Sequence, residues 1–177
     1  MLEIIVDANE LYDDMRFEFI IIPKTILRLE HSLSAISKWE SFYKKPFLSE
    51  HNKSFDETLY YIKCMTIDPV NDDVYHGIND ESIKKVEAYI VDKQTATIFS
   101  KREKGQKERI TSEEVYYWMI SLNVPFECDR WNFSRLMTLI DVCNEKSKKP
   151  AKVSNKELYE RNSKLNETRK NLLKTKG

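Results

Sequence analysis

Two short runs rich in β-branched and aromatic residues open the chain, Leu2 to Val6 and Arg16 to Ile22, with the polar, acidic stretch Asp7 to Asp14 between them. Such side chains suit a pleated, half-buried surface, so the pattern predicts two antiparallel strands joined by a long turn. Pro23, which has no amide hydrogen to give a ladder, closes the second strand. In Thr25 to Glu30, Ile26 alternates with Leu27 and Leu29 loosely enough for a third short strand or a helix start, and the strand is the expectation.

From Ser32 the period changes. Leu33, Ala35, Ile36, Trp39, Phe42 and Tyr43 recur three and four residues apart, which predicts an amphipathic helix to about Lys44, ended by Pro46. Ser54 and Glu57 have the spacing at which each side chain satisfies a free amide of a first helical turn, and Leu59, Ile62 and Met65 then line one face of a second helix. After Asp68-Pro69 and Gly77, Asn79 or Asp80 can cap a third helix with Ile83, Val86 and Ile90 along its buried edge. Thr95 to Ser100, a basic turn from Lys101 to Lys107 around Gly105, and Glu108 to Ile110 predict a second, exposed hairpin. Thr111 to Glu114 repeats the capping spacing, and Val115, Trp118, Met119 and Leu122 follow on one face before Asn123 and Pro125. Between Arg130 and Asn144, Phe133, Leu136, Met137, Leu139, Ile140, Val142 and Cys143 cover more than one stripe, so this helix is expected to be the central, most buried one.

Composition shifts at Glu145, where a short charged stretch leaves little to build a core from. The predicted organisation is a compact domain over 1–144, a linker over 145–153 and a basic amphipathic helical tail over 154–177. The predicted fold class is α+β and mainly helical: an N-terminal β-hairpin or small antiparallel sheet packed on about five helices, plus a charged C-terminal helix. In the tail, Ser154 and Glu157 offer another capping pair, and Leu158, Leu165 and Leu172 fall seven apart among charges. That narrow seam, with Arg161 and Arg169 beside it, is the candidate partner-binding surface, whether it docks on its own domain or on another protein.

Charge sharpens this reading of the tail. The formal net charge is zero, yet residues 1–22 carry six acids against Arg16, while 144–177 carry eleven bases against four acids. Such a tail suits an acidic partner. Nucleic acid is the weaker version of that idea, because Tyr159 is the tail's only aromatic and glutamates break up its basic face. Apolar runs such as Phe19 to Ile22 are far shorter than a membrane span, and Met1-Leu2-Glu3 lacks the plan of a signal peptide, so a cytoplasmic location without a membrane is expected.

Candidate chemistry is sparse. Three glycines, Gly77, Gly105 and Gly177, cannot build a phosphate-cradling or dinucleotide-binding loop. The histidines His31, His51 and His76 and the cysteines Cys64, Cys128 and Cys143 contain no pair at zinc-ligand spacing. Cys64 or Cys143 could meet a histidine through folding, but buried structural thiols are the stronger reading. Asp13-Asp14, Asp72-Asp73 and Glu113-Glu114 read as solvated turn and cap residues rather than paired catalytic carboxylates. Glu30-His31-Ser32 points in several directions and reads as a cap for the next helix. Trp39, Trp118 and Trp131 read as core anchors. A protein without enzymatic activity and without cofactors is expected.

Several stretches together carry a resemblance: Leu29-Glu30-His31-Ser32-Leu33, Ser37-Lys38-Trp39-Glu40, Lys45-Pro46-Phe47-Leu48 and Tyr61-Ile62-Lys63-Cys64-Met65-Thr66. Further on stand Thr95-Ala96-Thr97 with Phe99, Ile110-Thr111-Ser112-Glu113, Tyr116-Tyr117-Trp118-Met119, Pro125-Phe126-Glu127-Cys128, Arg135-Leu136, Leu139-Ile140, Val142-Cys143-Asn144, and an Arg-Asn-x-x-Leu-Asn pattern from Arg161 to Asn166. These resemble a family of siphophage proteins found among tail genes and described as tail assembly chaperones. The resemblance implies a protein that binds the tape measure protein, helps recruit tail tube protein in the host cytoplasm and is absent from the mature virion. It brings no catalytic residues. Self-association is left open, and the competing expectation is a structural virion component, a head–tail connector or minor tail protein.

Overall fold

The computed structural model describes residues 1–13, 17–49, 53–97, 110–147 and 155–174, with Asp13 and 155–158 described by backbone alone. The protein is α+β and mainly helical, with a small antiparallel arrangement of strands at its N-terminal end. It divides into two compact units, Met1–Asn144 and Glu145–Gly177.

Four strands open the first unit: β1 (Leu2–Val6), β2 (Asn9–Asp13), β3 (Glu18–Ile22) and β4 (Thr25–Leu29). The third strand over Thr25–Leu29 forms as expected, but the expected pairing is corrected: β1 pairs with β4 and β2 with β3, both antiparallel. The acidic stretch read as a turn contains β2. Its polarity is alternation: Leu11 turns toward the core while Glu10 and Tyr12 face out. Leu2↔Leu29 and Asn9↔Ile22 belong to one unbroken register, so the four strands are one long hairpin. It is interrupted where Asp7-Ala8 stands opposite Pro23-Lys24, since proline cannot donate a ladder hydrogen bond. Side-chain alternation skips at that break in both arms, which keeps Val6 and Ile22 pointing inward together.

The helices of this unit are α1 (Leu33–Tyr43), α2 (Phe55–Met65), α3 (Asp80–Val91), α4 (Ser112–Ser121) and α5 (Phe133–Ser147). Their starts are locally encoded. The Ser32 hydroxyl accepts from Ala35 N at 3.2 Å, Asn79 Oδ1 accepts from Ser82 N at 2.8 Å, and Ser54 and Glu57 close a reciprocal capping box. Thr111 N donates to Glu114 Oε2 at 3.0 Å. Helix α1 ends on Lys44, whose left-handed backbone (φ 56°) returns its amide to Glu40 O at 2.8 Å.

Two short 3-10 helices, Asp72–Gly77 and Phe126–Arg130, occupy stretches read as connections. Asp72 and Asp73 therefore begin a helical turn, not a loop, and Asp72 holds Lys63 at 2.8 Å. The first of these turns packs on the inner face of the hairpin so closely that a Cβ on Gly77 would sit 2.8 Å from Val6 Cγ1 and 3.3 Å from Ile22. Thr95–Thr97 form no strand, and the rest of the expected second hairpin, 98–109, lies outside the described residues.

Two hydrophobic cores result. One gathers the hairpin's inner face, α1, α2 and Val86 of α3, with Trp39 and Ile62 fully buried; the other gathers Val115, Met119, Leu136 and Ile140 around Leu33. The expectation that α5 is the most buried helix is corrected. Of its apolar residues only Leu136 and Ile140 are fully covered, whereas α1 buries Leu33 in one core and Ala35, Ile36 and Trp39 in the other. Width of apolar stripe failed as a guide because α5 is packed along one side only, leaving the rest half-buried. Trp39 is a core anchor, Trp118 is half-buried, and Trp131 is 38% exposed with the Arg135 guanidinium 4.8 Å from its ring centre.

In the second unit, α6 spans Asn155–Leu173. Helix α5 runs through Ser147, three residues into the stretch read as linker; the remainder, 148–153, and the proposed cap Ser154 lie outside the described residues.

Candidate interaction surfaces

The hairpin has two unlike faces. Inward, Ile4, Val6, Ile22, Leu27 and Leu29 are buried. Outward, Ile5, Tyr12, Phe19, Ile21 and Ile26 are exposed, Ile21 by 75%. Ile5 pairs across the ladder with Ile26, and Tyr12 with Phe19 at 5.0 Å between ring centres, so the exposed side carries the cross-strand apolar pairs usually found against a core. Near the tip Phe17, 81% exposed, takes a left-handed backbone (φ 55°) that bulky residues rarely adopt. Exposed Glu3, Asp7 and Glu10 lie on the same side as these groups, with exposed Lys24 opposite Asp7, while Glu18 alternates to the other side. Arg28, the basic residue on β4, is claimed by Asp68, whose two carboxylate oxygens accept from it at 2.6 Å each. That hydrogen-bonded pairing raises the Arg28 pKa and holds the Asp68 carboxyl below its usual range.

Sequence reading missed this surface. The signal was present in Phe19-Ile20-Ile21-Ile22, a strand apolar on both sides, which demands cover on both faces.

At the foot of the hairpin lies a buried polar node. Glu30 Oε1 accepts from the Tyr89 hydroxyl at 2.7 Å and the Asn132 amide at 3.2 Å, while Oε2 meets the N-terminal ammonium of Met1 at 3.0 Å. His31 is buried among Phe47, Tyr61 and Phe133, with Nδ1 2.5 Å from the Tyr61 hydroxyl. Burial pushes the imidazole down to about 4 and the Tyr61 phenol well above its ordinary range. Both are uncharged at neutral pH and share one hydrogen bond, whose donor is set by the imidazole tautomer. Ser32 alone caps the following helix; Glu30 and His31, read as part of that cap, tie the hairpin to α2, α3 and the start of α5.

A second buried carboxylate, Glu40, accepts from the backbone amides of Phe47 and Ser112, both at 2.8 Å. Its oxygens are occupied in holding a loop and the first turn of α4, a structural arrangement. The thiols are also placed for packing. Cys64, Cys128 and Cys143 are free, burial raises Cys64 to about 11 and also raises Cys128, which is the opposite of the depression that activates a nucleophile. His76 is exposed and His51 lies outside the described residues. Among the described residues, no group of three His, Cys, Asp or Glu side chains is placed to hold a metal ion. A shallow groove between α1 and α2 is lined by Ser37, Lys38, Tyr60, Lys63 and Cys64, and Lys63 there is engaged by Asp72.

The residues singled out in the tail all lie on α6. Leu158, Leu165 and Leu172 follow one another seven apart on one face of the helix, and Arg161 and Arg169 stand within a turn of that line. Leu165 is 45% and Leu172 78% exposed, and both arginines are exposed. The structure thus brings the tail residues onto one helix, and it separately presents the hairpin face that the sequence did not disclose. No helix among the described residues is long and apolar enough to cross a membrane.

Comparison with known proteins found no matching family, no similar curated protein and no similar solved structure.

Proposed function

We propose that this protein works by binding another protein, without catalysis of its own, as a tail assembly chaperone of a long-tailed bacteriophage. In this reading it holds the tape measure protein in the host cytoplasm until tail tube subunits cover it, and it leaves before the virion is complete. The observation that supports binding is the hairpin's outward face, where five large apolar side chains stand exposed on a well-packed domain. A long helical cargo exposes apolar surface before its tube is built, and reversible cover on that surface suppresses aggregation. The leucine line on α6, with Arg161 and Arg169, supplies a second contact of opposite charge character. The link to phage tails comes from the sequence resemblance.

The test is co-expression of the full chain with the tape measure protein, followed by co-purification and protein inventory of mature particles. Co-purification, a gain in soluble tape measure protein and absence from particles are the expected results. Fixed stoichiometry in particles without a gain in solubility would replace the chaperone with a head–tail connector or minor tail protein.

A further inference from the structure

We infer that the outward face of the N-terminal hairpin is a docking surface for a basic amphipathic helix of a partner protein, one with an apolar stripe flanked by lysine or arginine. The inference rests on the reading that the protein acts by binding other proteins, and it names the surface and the chemistry of the partner.

Shape comes first. Two strands lie about 5 Å apart, so with side chains the ribbon is roughly 10 Å wide, the diameter of one helix. From the Ile5–Ile26 pair to the Tyr12–Phe19 pair the ribbon runs seven residues, roughly 24 Å, which a helix of about 16 residues spans. Both pairs and Ile21 are exposed along that length. The inner face is fixed by Val6 and Ile22 against Gly77, so the outer face is presented by a supported strand pair rather than a loose loop.

Charge selects the occupant. Glu10 stands beside Ile21 in the ladder, and Glu3 and Asp7 alternate onto the same side as Ile5; against them stand Lys24, opposite Asp7, and Arg28, which Asp68 already holds, so the outward face carries net negative charge. A second copy laid face to face would set Glu3, Asp7 and Glu10 against the same acidic face, a like-charge arrangement that disfavours association. A helix bearing Lys or Arg beside its apolar stripe satisfies both features.

The experiment uses the full chain with a photoreactive phenylalanine analogue at Phe19 and, as probe, a synthetic helical Leu/Lys peptide, with a Leu/Glu peptide of the same pattern as control. Affinities are read by fluorescence anisotropy. The Leu/Lys peptide is expected to bind at least tenfold more tightly than the control and to crosslink at position 19. Phe19→Thr with Ile21→Thr should weaken it tenfold or more although every charge is retained, and Glu3→Gln with Glu10→Gln should weaken it and flatten its salt dependence. All four sites are exposed, and unchanged thermal melting checks that the variants fold. Equal binding by the apolar variants, or equal binding of the two peptides, overturns the inference. So does crosslinking to a second copy or to another segment of the same chain, which would assign the face to that occupant. If the tape measure protein co-purifies while this peptide test fails, only the surface assignment falls; if both fail, the binding reading falls with it.

Discussion

The N-terminal hairpin and α6 both display apolar side chains among charges, yet they do so by different means. The hairpin buries one face, Val6, Ile22, Leu27 and Leu29, and the other is displayed as a consequence, already ordered. Helix α6 has every described side chain from Tyr159 to Lys174 exposed, so in its own unit order comes from backbone propensity. A partner met by the hairpin costs little further ordering, whereas one met by α6 bears part of the cost of holding the helix. The two surfaces also differ in sign: the hairpin is acidic, and the tail carries the excess of bases.

The comparison can be broken most directly from the inner face. Ile22→Ala, at a fully buried position, should cost about 3 kcal/mol in chemical denaturation, and a loss under 1 kcal/mol would mean the hairpin is not anchored as described. The node at the hairpin's foot adds a pH-dependent term of similar size. His31 titrates near 4 in the folded chain against an ordinary 6.5, so the folded state binds fewer protons between those values and stability falls as pH drops through them. The full effect is on the order of 3 kcal/mol by pH 4; thermal melting from pH 7 to pH 4 should show it, and His31→Asn should flatten the slope.

Gly77→Ala should cost about 2 kcal/mol by forcing Val6 outward, and weaken whatever binds the outer face in proportion. At the tip, Phe17→Gly relieves a left-handed backbone and should leave stability unchanged or raise it by about 0.5 kcal/mol while removing an exposed aromatic. Leu172→Ala in α6 should change stability by less than about 0.5 kcal/mol, and a larger loss would show that the tail leucines are structural.

What the sequence disclosed, and what it hid, follows from the range of the interactions. Capping at Ser32, Ser54, Asn79 and Thr111 is decided within four residues, and each of these helices begins where its cap predicted. Pairing of β1 with β4 was not legible, because Leu2 meets Leu29 across the whole intervening length of β2 and β3. Polar content disguised β2, where Leu11 alone marks the inward side. The rank of the helices was equally hidden: whether α1 or α5 lies at the centre depends on which neighbours reach them, and Leu33 belongs to a core built from residues more than eighty positions later. Of the candidate sites, the leucine line could be read from a spacing of seven. The outer hairpin face needed the three-dimensional fact that the core covers one side only.

Helix α1 places consecutive turns in different cores, Leu33 in one and Ile36 and Trp39 in the other, while Phe133 touches both. Melting either core removes packing from the other, so residues 1–144 should unfold in one calorimetric transition whose van't Hoff and measured enthalpies agree. A ligand gripping the hairpin then stabilises the whole unit by mass action, and slowed hydrogen exchange should extend to the amides of α5, which the ligand never contacts.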